Sequence, residues 1–116
     1  MYIEVMHDSH GNITACYCAD TLPQNDGAPL FTVHGGGPSG HEQARLNIDT
    51  LMAMEIDAAS GQKAIINPAT GAPEIKNIDR TDYIIQTFKV DTAQEITPPA
   101  GVSIPAGMKV RGLLRR

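Results

Sequence analysis

Residues 2–18, Tyr2-Ile-Glu-Val-Met-His-Asp-Ser-His-Gly-Asn-Ile-Thr-Ala-Cys-Tyr-Cys18, read as two strands joined by a turn. The flanks Tyr2–His7 and Ile13–Cys18 are rich in β-branched and aromatic residues, the composition of strands. Between them, Asp8 can open a type I turn and Gly11 can take the left-handed position of a three-residue hairpin loop. Closed this way, the hairpin sets His7 opposite Ile13, Val5 opposite Ala15 and Ile3 opposite Tyr17. The expected core face then carries Ile3, Val5, Ile13, Ala15 and Tyr17. The other carries Tyr2, Glu4, Thr14, Cys16 and Cys18, because successive strand residues point to opposite sides.

Beyond the hairpin, residues 19–29 are loop by composition, and Leu30-Phe-Thr-Val33 fits a short buried strand. The glycine-rich segment His34-Gly-Gly-Gly-Pro-Ser-Gly-His41 follows. A helix is expected from about Gly40 to Ala59. Ser39 has Glu42 three residues on, the spacing of a capping box. Ala44, Ile48, Leu51, Met52 and Ala59 recur at helical spacing as a core stripe, and Ser60-Gly61 supplies a stop. Leu46, Ile48, Met52, Met54 and Ile56 also alternate, and Glu55 falls within the stripe. A short helix turning into a strand near Met52–Ile56 is therefore left open.

Further on, Lys63–Ile66 reads as a strand ending in the turn Asn67-Pro-Ala-Thr-Gly71. Residues Asp82 to Val90 read as a longer strand, apolar on both faces and so central. The Pro/Gly-rich segment 95–116 holds a miniature repeat, Pro99-Ala-Gly-Val-Ser-Ile104 and then Pro105-Ala-Gly-Met-Lys-Val110. Two units are too few for a solenoid, so two short strands joined by tight turns are expected. The fold class is α+β: a small single domain over residues 1–116, its sheet mostly antiparallel. The N-terminal hairpin packs against one main helix through Ile48, Leu51 and Met52.

Charge bounds the partners. Thirteen acidic against nine basic residues give a net charge of −4, which argues against a general nucleic-acid binder. The five aromatics, Tyr2, Tyr17, Phe31, Tyr83 and Phe88, interleave with no basic run. No apolar run approaches the ~20 residues needed to cross a bilayer, so no membrane association is expected. The start Met1-Tyr-Ile-Glu-Val5 lacks the pattern of a secretory signal. Cys16 and Cys18 would sit ~6.6 Å apart along a strand, at the far edge of disulfide geometry. Free thiols and no signal peptide lead to a cytoplasmic expectation. Residues 96–116 hold four bases, Lys109, Arg111, Arg115 and Arg116, and no acid. They read as a solvated end, with docking on an acidic surface as the sharper alternative.

Chemistry-bearing residues concentrate in the first 41 positions, which hold all four histidines and both cysteines. His10, His34 and His41 are the candidate ligands of a divalent metal such as zinc, provided the glycine loop folds over the hairpin tip. His7 faces away from Cys16 and Cys18 in the expected register, and C-x-C is not the pairing of structural zinc sites. The second candidate is an anion site in the glycine loop, made by His34, Gly35, Gly36, Gly37, Ser39, Gly40 and His41 at a helix N-terminus. Gly35-x-Gly37-x-x-Gly40 satisfies the dinucleotide fingerprint, but Pro38 interrupts it and no carboxylate ends the next strand. No Lys-Ser/Thr follows, which excludes a P-loop. His34-Gly-Gly-Gly37 looks like the oxyanion-hole motif of esterases, yet the nucleophile elbow is missing. No catalytic residue is assigned.

The leading expectation is thus a non-catalytic accessory or structural module without cofactor that self-associates as a homo-oligomer or docks on a larger protein. Small strand-rich chains expose edges, and pairing two edges in a symmetric dimer removes them. The alternative is a small-molecule anion or metal binder using residues 34–41. Enzymatic activity ranks behind both.

Overall fold

The computed structural model describes residues 1–21, 29–31, 39–98, 104–105 and 107–116. Among these, the elements in chain order are β1 (Tyr2–His7), β2 (Ile13–Ala19), β3 (Glu42–Leu46), α1 (Thr50–Ala59) and β4 (Gly61–Ile66). They continue with β5 (Pro73–Ile78), α2 (Arg80–Thr87), β6 (Phe88–Val90), β7 (Lys109–Arg111) and β8 (Leu113–Arg115). The class is α+β with mostly antiparallel pairing. A four-stranded sheet runs β2-β1-β3-β7, with β7 parallel to β3, and two separate antiparallel pairs, β4-β5 and β6-β8, complete the set.

The N-terminal hairpin forms as expected, and Gly11 takes φ +85° in its turn. His7 does oppose Ile13, but an irregularity between Met6 and His7 shifts the rest of the register by one. Val5 therefore faces Cys16 and Ile3 faces Cys18. A one-residue slip turns a strand over. Cys16 and Cys18 consequently pack on the core, while Tyr17, expected inside, is 48% exposed.

The expected helix over 40–59 is two elements. Glu42–Leu46 is β3, paired antiparallel with β1, and α1 starts only at Thr50 under the cap Asp49, whose carboxylate accepts from Met52 N at 2.7 Å. The alternative, helix first and strand second, has the order reversed. Tertiary pairing overrides the helix preference of Glu42-Gln-Ala-Arg-Leu46 because Ala44 and Leu46 are needed in the core beside Val5 and Ile3. The stripe also differs: Leu51 is 78% exposed, and Ile56 is the buried residue of α1. Ile48 and Met52 do pack on the core.

The expected strand over 82–90 is α2 followed by the three-residue β6. Asp79 caps α2 by accepting from Asp82 N at 2.7 Å. The helix places Ile84 one turn before Phe88, and both are fully buried. The N-terminal hairpin thus packs against α2 through β2, and among the described residues there are two helices where one main helix was expected. Leu30 and Phe31 carry no strand assignment, and Thr32 and Val33 lie outside the described residues, as does most of the first Pro-Ala-Gly repeat.

The core gathers Ile3, Val5, Ile13, Ala44, Leu46, Ile56, Ile84, Phe88 and Val90 between the sheet and the two helices. The opposite sheet face is also covered. Glu4 is fully buried there, accepting from Arg45 Nε at 3.0 Å and from Leu30 N at 2.7 Å. The basic end is solvated only in part: Lys109, Arg115 and Arg116 are exposed, but Arg111 is buried and the segment is tied to the body. Arg111 donates to the carbonyls of Thr92 and Gln94, Arg116 Nε to Phe88 O, and Arg115 pairs with Glu55 while lying 5.2 Å from the Phe88 ring centroid. Glu55 also accepts from the Tyr83 hydroxyl at 2.9 Å, which explains a carboxylate within an otherwise apolar helical stripe.

The β4-β5 hairpin stands apart. It closes through Asn67, whose carbonyl accepts from Gly71 N at 2.7 Å, with Gly71 at φ +69°. Lys63 donates to Ala58 O at the C-terminal end of α1, where a cation is favoured. Otherwise most of the arm is open to solvent, with Ile66 67% and Ile75 74% exposed.

Candidate functional site

The glycine-loop candidate is only partly in view, since His34, Gly35, Gly36 and Gly37 lie outside the described residues. Ser39, Gly40 and His41 form a turn leading into β3, with Gly40 at φ +80°. Ser39 caps no helix: the helix that follows it begins only at Thr50, under Asp49. The anion argument built on a helix N-terminus at residues 39–41 therefore fails, because those amides and their dipole are elsewhere. His10 is exposed in the hairpin turn, and His41 Nδ1 lies 3.4 Å from Ser39 O. Among the described residues no group of three His, Cys, Asp or Glu is arranged to hold a metal ion.

Gly40 does border a cavity. About 240 Å3 of space is lined by His7, Asp8, Ser9, Gly40, Glu42, Thr92 and Arg111. The β1-β3 register creates it by setting His7 opposite Glu42 at one end of the sheet, while Arg111 on β7 reaches Glu42 at 3.4 Å. His7 is 2% exposed and Arg111 7%. The His7 Nδ1 lies 2.8 Å from the Asp8 carbonyl oxygen. A carbonyl only accepts, so His7 Nδ1 carries a proton. The Asn12 side-chain amide, with the backbone N–H groups of Asn12 and His10, holds the Asp8 carboxyl below its usual range. Sequence reasoning kept His7 out of any site and placed Arg111 in solvent. Neither has a local signature, since both are buried by pairing between segments distant in the chain.

The two thiols form a second cluster. Cys18 borders a depression with Asp20, Asp79, Arg80 and Thr81, at the N-terminal end of α2. A hydrogen bond from Cys16, helped by the Arg80 charge, pulls the Cys18 thiol below the usual range. The same bond, together with burial, pushes Cys16 upward. Arg80 is itself held between Asp20 at 2.8 Å and Asp57 at 3.1 Å.

The third feature is a set of exposed apolar side chains. Leu51 (78% exposed), Met54 (62%), Ile66 (67%) and Ile75 (74%) all fall in the continuous segment from α1 to β5. Leu51 and Met54 are three residues apart on one helix face. In the arm, pleat and register put Ala64, Ile66, Pro73 and Ile75 on a common face. Its other face carries Lys63 directly opposite Lys76. No helix among the described residues is long and apolar enough to cross a membrane. No family model, curated protein or solved structure matches this chain.

Proposed function

We propose that the protein is a non-catalytic interaction module that self-associates through the surface formed by α1 and the β4-β5 arm. The observation that carries this reading is the exposure of Leu51, Met54, Ile66 and Ile75 together in one stretch of chain. Isolated exposed leucines are ordinary, but a grouped apolar surface marks a contact site. The arm adds a second argument. Among the described residues β4 and β5 pair only with each other, and a two-stranded hairpin is marginal in water without further cover. Both of its edges keep unpaired backbone groups, which a second arm can extend into a four-stranded sheet across a twofold axis.

A second copy is the occupant that charge favours. The arm carries two lysines and one glutamate, whereas the rest of the chain is net acidic. The lysine face of one arm is therefore complementary to the body of another copy. Nucleic acid and membrane have no part in this reading, and the two free thiols support a reducing cytoplasmic setting.

Light scattering during size-exclusion chromatography over a concentration series tests it. The expected mass is a multiple of the 12.4 kDa chain, and the double substitution Ile66→Lys/Ile75→Lys should return it to 12.4 kDa without loss of folded structure. A wild-type protein that stays monomeric throughout overturns the proposal, as does a double variant that associates unchanged.

A further inference from the structure

Cys16 and Cys18 stand on one face of β2, opposite Val5 and Ile3, with only Tyr17 between them in the chain. Both are free thiols, half-buried against the core, and Cys16 hydrogen-bonds to Cys18. We propose that they form a peroxide-responsive dithiol, in which Cys18 is oxidised first and Cys16 closes a disulfide onto it. This goes beyond self-association and does not depend on it.

The two sulfurs differ in their surroundings. Cys18 borders a depression of about 350 Å3 together with Asp20, Asp79, Arg80 and Thr81, and Cys16 is not part of that border. A peroxide entering there meets Cys18 first. The hydrogen bond from Cys16 favours the thiolate at Cys18, and the Arg80 charge adds to it. The same bond, with burial, holds Cys16 as the thiol. An accessible thiolate beside a sheltered thiol is the arrangement of an attacking and a resolving cysteine. Two carboxylates against one guanidinium make the border of the depression net acidic, which disfavours an anionic oxidant such as oxidised glutathione. A small neutral peroxide meets no such barrier.

The Cys18 thiolate attacks one oxygen of hydrogen peroxide. The O–O bond breaks, hydroxide leaves and Cys18 becomes a sulfenic acid. The Cys16 sulfur then attacks the sulfenic sulfur, and the S–O bond breaks as the hydroxyl departs, taking the Cys16 proton to form water. The two sulfurs together have given two electrons to the peroxide. Strand geometry permits the closure, since Cα atoms two residues apart lie ~6.6 Å from each other, inside the ~6.8 Å upper limit for a disulfide. Among the described residues β2 is an outer strand paired only with β1, so it can tighten at Tyr17 without breaking a second ladder.

The experiment treats the reduced full-length chain with a few-fold excess of hydrogen peroxide, caps the remaining thiols with N-ethylmaleimide and measures the intact mass. The expected product is a single chain lighter by two hydrogens that takes up no maleimide, and dithiothreitol restores both thiols. Cys16→Ser should stop at a Cys18 sulfenic acid that dimedone traps. Cys18→Ser should lose its remaining thiol to peroxide about tenfold more slowly than Cys16→Ser. A wild-type chain that keeps two maleimide-reactive thiols, accumulates sulfinic acid or couples to another chain overturns the proposal, and that readout needs no variant. Equal oxidation rates in the two variants overturn it as well.

Discussion

Gly11 lies so close to the backbone of Val90 that a Cβ added to it would come 2.2 Å from the Val90 carbonyl oxygen. Its own carbonyl accepts from Val90 N at 2.8 Å, and its φ is +85°. The tip of the N-terminal hairpin is thereby fastened to β6, and through β6 to β8. Gly11→Ala should cost about 3 kcal/mol, combining left-handed backbone strain with displacement of β6. Gly40 has a similar φ of +80° but open space around it, so Gly40→Ala should cost only about 1 kcal/mol. Urea unfolding of both variants checks the contrast, and equal losses would show that the Val90 contact carries nothing.

The helix starts can be located by substitution. Asp49→Ala and Asp79→Ala should each lose about 1 kcal/mol by leaving Met52 N and Asp82 N without their side-chain acceptors. Ser39→Ala should leave stability within about 0.5 kcal/mol, because Ser39 is an exposed turn residue. A loss at Ser39 equal to that at Asp49 would contradict the boundary between β3 and α1.

The same logic separates the faces of α1. Ile56→Ala should cost about 2–5 kcal/mol, since Ile56 is fully buried among Ile84, Phe88 and Val90. Leu51→Ala should change the monomer by no more than about 0.5 kcal/mol, as befits a side chain 78% exposed. Unfolding at concentrations low enough to exclude association keeps the two effects apart.

Local signals in the sequence were reliable where local physics decides the structure. The turn chemistry of Asp8–Gly11 and Asn67–Gly71, the stop at Ser60-Gly61 and the strand ending at Ile66 all stand. What failed depends on partners far away in the chain. Glu42–Leu46 has helix-forming residues but is recruited as a strand by β1. The run Tyr83-Ile-Ile has strand-forming residues but is made helical by the Asp79 cap and the demand to bury Ile84 beside Phe88. Both true caps were present as aspartates, and Asp79 precedes another acid by three residues, a start signal outweighed by the β-branched run. The cavity was illegible for a related reason. Burial of His7 and Arg111 needs the bulge at Met6/His7 and the parallel β3-β7 pairing, and neither leaves a mark in nearby sequence.

The Glu4–Arg45 pair offers a test of how the covered sheet face is held. Glu4 is fully buried and 41 residues from Arg45 in sequence. Removing either partner alone, by Glu4→Leu or Arg45→Met, takes its counter-charge from a buried ion and should cost about 3–5 kcal/mol. The double variant should recover much of that, because an apolar pair of similar volume avoids desolvation. Unfolding free energies of the four proteins form a double-mutant cycle, and strictly additive losses would contradict coupling between the two side chains.

The thiol pair makes a prediction about pH. Cys18 lies below the usual thiol range because Cys16 donates a hydrogen bond to it, with the Arg80 charge assisting. A lowered value puts the reactive thiolate in place at lower pH, so alkylation of Cys18 by iodoacetamide should rise at a pH below that of a free cysteine. Cys16, pushed upward by the same bond and by burial, should stay unmodified through that interval. Peptide mapping after partial alkylation identifies which sulfur has reacted. Cys16→Ala should move the onset for Cys18 upward, and Arg80→Ala should move it in the same direction by less, in keeping with the weaker of the two causes. Equal rates at both cysteines, or an onset for Cys18 indifferent to Cys16, would mean that the two sulfurs do not share a proton in the folded protein.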